Sequence, residues 1–172
     1  PYEVRELVQS GHKVWPLIES ARGLVNIGEI AAEPGVEVLS FGALDYCVQL
    51  RVDPASAAGQ RQIDQVRMAL VLHSALNELM PPIDTVFPDI HDQDRLKKTA
   101  SNARDLGFGG MLCIHPSQVS IVTTAFKPAD EALAWAKRVL EAAEGQPGVF
   151  LFEGRMVDAP VLDEARRLLE LA

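Results

Sequence analysis

Glu19 and Asp45 each stand just past a short apolar run. Parallel α/β folds gather their ligands at the carboxyl ends of the strands. Carboxylates that follow two successive strands can therefore converge on one hard cation. Magnesium suits such a pair, because it takes a few carboxylates and completes its shell with waters and substrate oxygens. Blander roles remain open for both residues. Asp45 could cap a helix starting at Tyr46, and Glu19 could pair with Arg22 on the surface.

Other reactive side chains read as structural. His115 follows an apolar run and precedes Pro116, which suits a helix-entry residue, a ligand or a base. His73 falls on an apolar helix face and is read as core, and His12 and His91 fall in turns. Cys113 reads as a small apolar filler within a strand. Cys47 lies near the candidate site, with nothing beside it to activate a thiol. Asp158, between a strand and a helix, reads as a helix cap.

The elements that would position these residues alternate. A helix end at 2–11 is closed by Gly11. Residues 14–18 form an apolar strand ending at Glu19. Leu24, Ile27, Ile30 and Ala31 recur at helical spacing, and Pro34-Gly35 stops them. Residues 38–41 form a second strand, followed by Gly42 and Asp45. A long helix over 55–79 shows an apolar stripe of Ile63, Val66, Leu70, His73 and Leu76, and Pro81-Pro82 ends it. Residues 83–86 are a third strand. Asp92 caps a helix bearing Leu96, Ala100, Ala103 and Leu106. Residues 111–114 are a fourth strand, with helices from about Ser117 and from Pro128. A hairpin over 149–157 and a helix from near Pro160 to the end complete the chain.

Strand–helix alternation with short apolar strands predicts a parallel sheet flanked by helices, α/β in class. Two architectures fit: a small doubly wound sheet, or half of an eight-stranded barrel. A whole barrel takes about 250 residues, more than the 172 present. No Gly-rich phosphate loop follows any strand, which counts against a nucleotide-binding sheet.

Composition narrows the classes. Apolar residues make up 48% and charged residues 23% of the chain, as in an ordinary globular domain. The net charge of −8, without a Lys/Arg cluster, argues against nucleic acid as partner. No apolar run is long enough for a bilayer and no signal peptide is evident, so neither a membrane partner nor secretion is expected. Cys47 and Cys113 match no zinc spacing, and a reducing cytoplasm is the expected location. The first residue is Pro1 rather than methionine, so a partial chain is expected.

Five segments together resemble one family. They are Leu17-Ile18-Glu19-Ser20-Ala21-Arg22-Gly23, Phe41-Gly42-Ala43-Leu44-Asp45-Tyr46, Ile83-Asp84-Thr85-Val86-Phe87-Pro88-Asp89, Cys113-Ile114-His115-Pro116-Ser117-Gln118-Val119 and Gly154-Arg155-Met156-Val157-Asp158-Ala159-Pro160. In this order they resemble the citrate lyase beta-subunit-like proteins of the HpcH/HpaI aldolase superfamily, which include malyl-CoA and citramalyl-CoA lyases. The resemblance implies a (β/α)8 TIM-type barrel, with this chain corresponding to strands five to eight and the C-terminal tail. Residues 1–145 would form the half barrel. Residues 146–172 would form a hairpin and helix packing on or into a neighbouring subunit.

The resemblance also implies roles. Glu19 and Asp45 match the family's magnesium ligands. Asp158 matches a tail aspartate that enters a neighbour's active site, where it would protonate the released carbon or shuttle protons. Backbone N–H groups of Ser20, Ala21, Arg22 and Gly23 would hold the acidic end of the substrate at a helix start. The implied reaction is magnesium-dependent carbon–carbon cleavage of a 3-hydroxyacyl-CoA into a 2-oxo acid and acetyl-CoA or a similar thioester, in a homo-oligomer, trimer or hexamer. Malyl-CoA thioesterase chemistry and a non-catalytic assembly module are the alternatives. The chain departs from the family at Ser20, where threonine is commoner, and at Leu44, where a polar or acidic residue is common. It has no counterpart of the family's early-strand arginine. Half a barrel leaves two open sheet edges, so either an N-terminal half is expected elsewhere or partner chains cover the open side.

Overall fold

The computed structural model describes residues 2–146 and 148–171. Helix α1 (Tyr2–Gln9) leads into β1 (Leu17–Ile18), α2 (Ala21–Val25), α3 (Ile27–Ala31), β2 (Ser40–Phe41), α4 (Ala43–Leu50) and α5 (Ala57–Leu76). β3 (Ile83–Asp84), α6 (Gln93–Asp105), β4 (Gly110–Met111) and α7 (Pro116–Phe126) follow. The last elements are α8 (Asp130–Ala143), β5 (Phe150–Phe152), β6 (Arg155–Val157) and α9 (Ala159–Glu170).

Strands β1 to β4 pair in parallel in the order β1-β2-β3-β4. A doubly wound sheet reverses its strand order at a switch point. Each strand here lies beside the next one in sequence, which is the progression of a (β/α)8 barrel. Leu17, Ser40, Ile83 and Gly110 form one row across the sheet. Prolines shorten the ladder, because they have no N–H to donate. β1 begins after Pro16, and β3 begins after Pro81-Pro82. Backbone bonds extend beyond the strands nonetheless, as from the Leu112 N–H to the Asp84 carbonyl at 3.0 Å. Strands β1 and β4 are the outer strands, and Trp15, Leu17, Leu112 and Ile114 on and beside them are exposed.

The core of this sheet joins Ile18, Leu39 and Phe41 to Ile27 and Ile30 of α3 and to Ile63, Val66 and Leu70 of α5. The buried face of α5 continues through Arg67 and Ser74, rather than through His73 and Leu76 as the apolar pattern suggested. A helix of 3.6 residues per turn carries positions 63, 67, 70 and 74 on one face, so geometry overrides the apolarity of Leu76. The single helix expected over 24–31 is two short ones, because Asn26 interrupts it and donates its side chain to the Arg22 carbonyl at 2.7 Å. The fourth strand lies at 110–111 rather than 111–114. Asp92 caps α6 as expected, accepting from the Arg95 N–H at 3.0 Å.

Contacts divide the chain between Phe126 and Lys127 into two compact units. Within the second unit α8 packs on α9. In the second unit, Ala136 and Val139 of α8 form a core with Val157 and Ala165. The hairpin turn runs through Glu153 and Gly154, both at positive φ, as a two-residue hairpin loop requires. The expected helix end at Ala172 lies outside the described residues.

One buried ion pair fixes the end of β3. Arg67 Nε and Nη2 donate to Asp84 Oδ1 and Oδ2 at 3.1 and 2.9 Å, and the Asp84 side chain is 0% exposed. Arg67 Nη1 donates to Asp64 at 3.0 Å. Burial opposes the charge on Arg67, but Asp84 and Asp64 together raise its pKa above the ordinary value. Removing one partner of a buried pair leaves the other charge uncompensated, at a cost of about 3–5 kcal/mol. Asp84→Ala should lower stability by about that amount, read from the urea unfolding midpoint. A change under about 1 kcal/mol would mean that the pair contributes little.

Candidate functional site

Glu19 and Asp45 are brought to the same end of neighbouring strands by two hydrogen bonds that frame them. On one side the Gly42 N–H donates to the Ile18 carbonyl at 2.9 Å. On the other the Ala21 N–H donates to Gln49 Oε1 at 2.7 Å. Glu19 thus lies between the two bonded residues of its segment, and Asp45 between the two of its own. Both side chains are exposed.

The contact is closest at Gly42. A Cβ built there would lie 2.5 Å from Glu19 Cβ and 3.0 Å from Glu19 Oε2. Only glycine lets the Glu19 side chain cross the start of α4, whose third residue is Asp45. The φ of Gly42 is −102°, so the requirement is steric and not conformational.

Neither bland reading of the pair holds. Helix α4 begins at Ala43, which puts Asp45 within the first turn and makes Gly42 the cap residue. Among the described residues, Glu19 forms no ion pair with Arg22, and neither carboxylate accepts a side-chain hydrogen bond. An acid in the first turn of a helix lies where the aligned peptide dipoles favour negative charge. Helix α4 is anchored from below by buried Tyr46 and Cys47, with Tyr46 edge-on to Phe41 at 5.9 Å between ring centroids.

The Ser20 to Gly23 segment is already largely engaged. The Ser20 hydroxyl accepts from the Gly23 N–H at 3.1 Å and caps α2, and the Ala21 N–H is held by Gln49. Asp158 caps α9, accepting from the Val161 N–H at 3.4 Å. His115 sits at the entry to α7, where Nδ1 lies 2.8 Å from the Ser117 hydroxyl. Burial pushes both the Cys47 and Cys113 thiols up, which disfavours a thiolate nucleophile at either position.

Three residues not singled out from the sequence tie the strand ends together. Thr85 Oγ1 accepts from the Ala43 N–H at 3.1 Å. Buried Gln118 accepts from the Ile114 N–H at 3.0 Å and donates to the Phe87 carbonyl at 2.8 Å. With Gln49, these amide and hydroxyl groups link each βα turn to the next. A polar residue at a position that should be apolar was the available signal for Thr85 and Gln118.

A parallel sheet in sequential strand order, with an acidic pair at its carboxyl end, defines an α/β protein of the (β/α)8-barrel class. The chain belongs to the HpcH/HpaI aldolase/citrate lyase family, whose profile matches residues 2–116. A citrate lyase subunit beta-like protein of Mycobacterium tuberculosis is 39% identical over 160 residues, covering 91% of this chain and 58% of the relative. The mitochondrial citramalyl-CoA lyase of Rattus norvegicus is 29% identical over 170 residues, covering 91% of this chain and 49% of that protein. The crystal structure of Mycobacterium tuberculosis CitE in complex with magnesium, acetoacetate and coenzyme A matches with a TM-score of 0.88 at 37% identity, over 99% of this chain and 64% of that one. The chain therefore spans about half to three fifths of the length of these curated relatives.

Gly42→Ala should displace Glu19 and destabilise the protein by about 1–3 kcal/mol, the usual cost of overpacking. Urea unfolding of the variant checks this, and a variant as stable as the parent would show that Glu19 moves away freely.

Proposed function

We propose that this chain contributes the metal-binding part of the active site of a carbon–carbon lyase. The substrate would be a 3-hydroxyacyl-CoA of the citryl-, malyl- or citramalyl-CoA type, split into a 2-oxo acid and acetyl-CoA or a similar thioester. The observation that carries this reading is the Glu19–Asp45 pair: two exposed carboxylates without ion-pair partners among the described residues, framed by two hydrogen bonds at the strand ends. The name of the rat relative and the ligands of the M. tuberculosis structure support the same chemistry.

Magnesium fits this donor set. Its preference is for one or two carboxylates with waters and substrate oxygens rather than a full protein cage. Among the described residues no cluster of three or more acidic, His or Cys side chains competes as a cage. When bound, magnesium supplies Lewis acidity and orients the carboxylate and hydroxyl oxygens of the substrate.

The chain's own residues account for the rest of the reading. Glu19 and Asp45 provide the negative donors. Because the Ala21 and Gly23 N–H groups are engaged, contact with the acidic end of the substrate would fall to the Ser20 and Arg22 N–H groups. In the cleavage, a general base takes the hydroxyl proton, the freed O–H pair forms the ketone C=O of the 2-oxo acid, and the carbon–carbon bond breaks. Its electron pair passes to the α-carbon of the thioester, delocalised as an enolate, and Asp158 of a neighbouring copy would return a proton to that carbon. This role calls for a homo-oligomer, a trimer or hexamer, in which the tail over 146–172 packs on or into the next subunit.

Isothermal titration with magnesium should give saturable binding that is lost in Asp45→Ala and in Glu19→Gln. A wild-type protein that binds no magnesium would sink the metal reading. Asp158→Asn separates chemistry from capping, because asparagine caps a helix about as well as aspartate. In the complete protein the variant should fold normally and lose lyase activity by about 100-fold or more, the scale of a lost general acid. Retention of full activity would leave Asp158 as a cap alone.

A further inference from the structure

We propose that Thr85 is a positioning residue for the acidic pair, a role that rests on the metal reading above. The start of α4 has an unusual difficulty. The first N–H groups of a helix have no partner within it and are commonly satisfied by a Ser, Thr, Asp or Asn side chain at the cap position. Position 42 cannot carry such a side chain, because Glu19 occupies the space where its Cβ would stand. The geometry that admits Glu19 therefore removes the local cap of the helix that bears Asp45.

Thr85 supplies the missing acceptor from the next strand. The register pairs Ser40 with Ile83, so two residues on Gly42 runs level with Thr85. Its Oγ1 accepts the Ala43 N–H at 3.1 Å, and both residues are 7% exposed, which keeps water from taking its place. The neighbouring Asp84 is gripped by Arg67 through two hydrogen bonds, which immobilises the strand end that carries Thr85. The Gly42–Ala43 link is held on its other side by the bond to Ile18, and the Gly42 carbonyl accepts from the Tyr46 N–H at 3.2 Å. The first turn of α4 is thus pinned between β1 and β3. Loss of the Thr85 hydroxyl strands a buried N–H and loosens the turn that holds Asp45 opposite Glu19.

The test uses Thr85→Val, which keeps shape and removes the acceptor, and Thr85→Ser, which keeps the acceptor. Thr85→Ala replaces the valine variant if that one does not fold. Magnesium affinity is measured by titration, and amide hydrogen exchange at Ala43 is measured without metal. The valine variant should bind magnesium about 10–100-fold more weakly, the usual effect of losing a group that orients a metal ligand. Its Ala43 amide should exchange faster, and serine should restore both properties. Wild-type affinity and exchange in the valine variant, with binding still lost in Asp45→Ala, would overturn the role of Thr85 and leave the metal reading standing. A serine variant as weak as valine would assign the effect to packing and overturn it too. A wild-type protein without magnesium binding would remove the metal reading and this role together.

Discussion

The hydrogen bond from the Gly42 N–H to the Ile18 carbonyl joins two strands just where each gives way to its acidic residue. A functional pair drawn from successive βα units needs the strand ends in register to within a residue, because a slip by one turns every side chain to the other face. That bond, extended by the Ala21–Gln49 contact, sets the register of the two segments. The absence of a side chain at position 42 then lets Glu19 lie against the turn that leads to Asp45. Neither carboxylate is gathered by its own local sequence. Each is placed by backbone groups that belong to the other's unit.

Strand–helix order, the apolar core of β1 and β2, the Asp92 cap and the position of Glu19 and Asp45 just past two successive strands were legible in the sequence, because each rests on local pattern. The choice of a barrel progression over a doubly wound sheet came from the family resemblance of five segments and not from the apolar runs, since strand order is a long-range property that such runs do not encode. The reach of the buried face of α5 was misread for a simpler reason. Leu76 is apolar and Arg67 is charged, but the helical period puts Arg67 inward, and Asp84 makes its burial tolerable. Thr85 and Gln118 escaped notice because their value lies in one hydrogen bond each to a segment distant in sequence. An aspartate within an apolar strand and an arginine beside Val66 on an apolar helix face were the visible trace of the ion pair.

Polar groups thus hold the carboxyl end of this sheet, while apolar packing holds its middle. Such an arrangement is costly if any member is left without a partner, since a buried polar group without one forfeits its hydration. Fully satisfied, it gives what apolar contacts cannot, which is direction. The apolar contacts of Leu39 and Phe41 have no preferred direction. The paired oxygens of Asp84 and the hydroxyl of Thr85 each accept from one donor at one angle.

The order in which the chain is made adds a consequence. The segments bearing Glu19 and Asp45 leave the ribosome before β3 does, and the bonds between residues 18 and 42 and between 21 and 49 can form as soon as α4 has emerged. The acceptor for the Ala43 N–H is encoded some forty residues later. A nascent chain therefore passes through a stage in which both carboxylates are present but the turn beneath one of them is not yet secured, and the site matures only as the third strand docks.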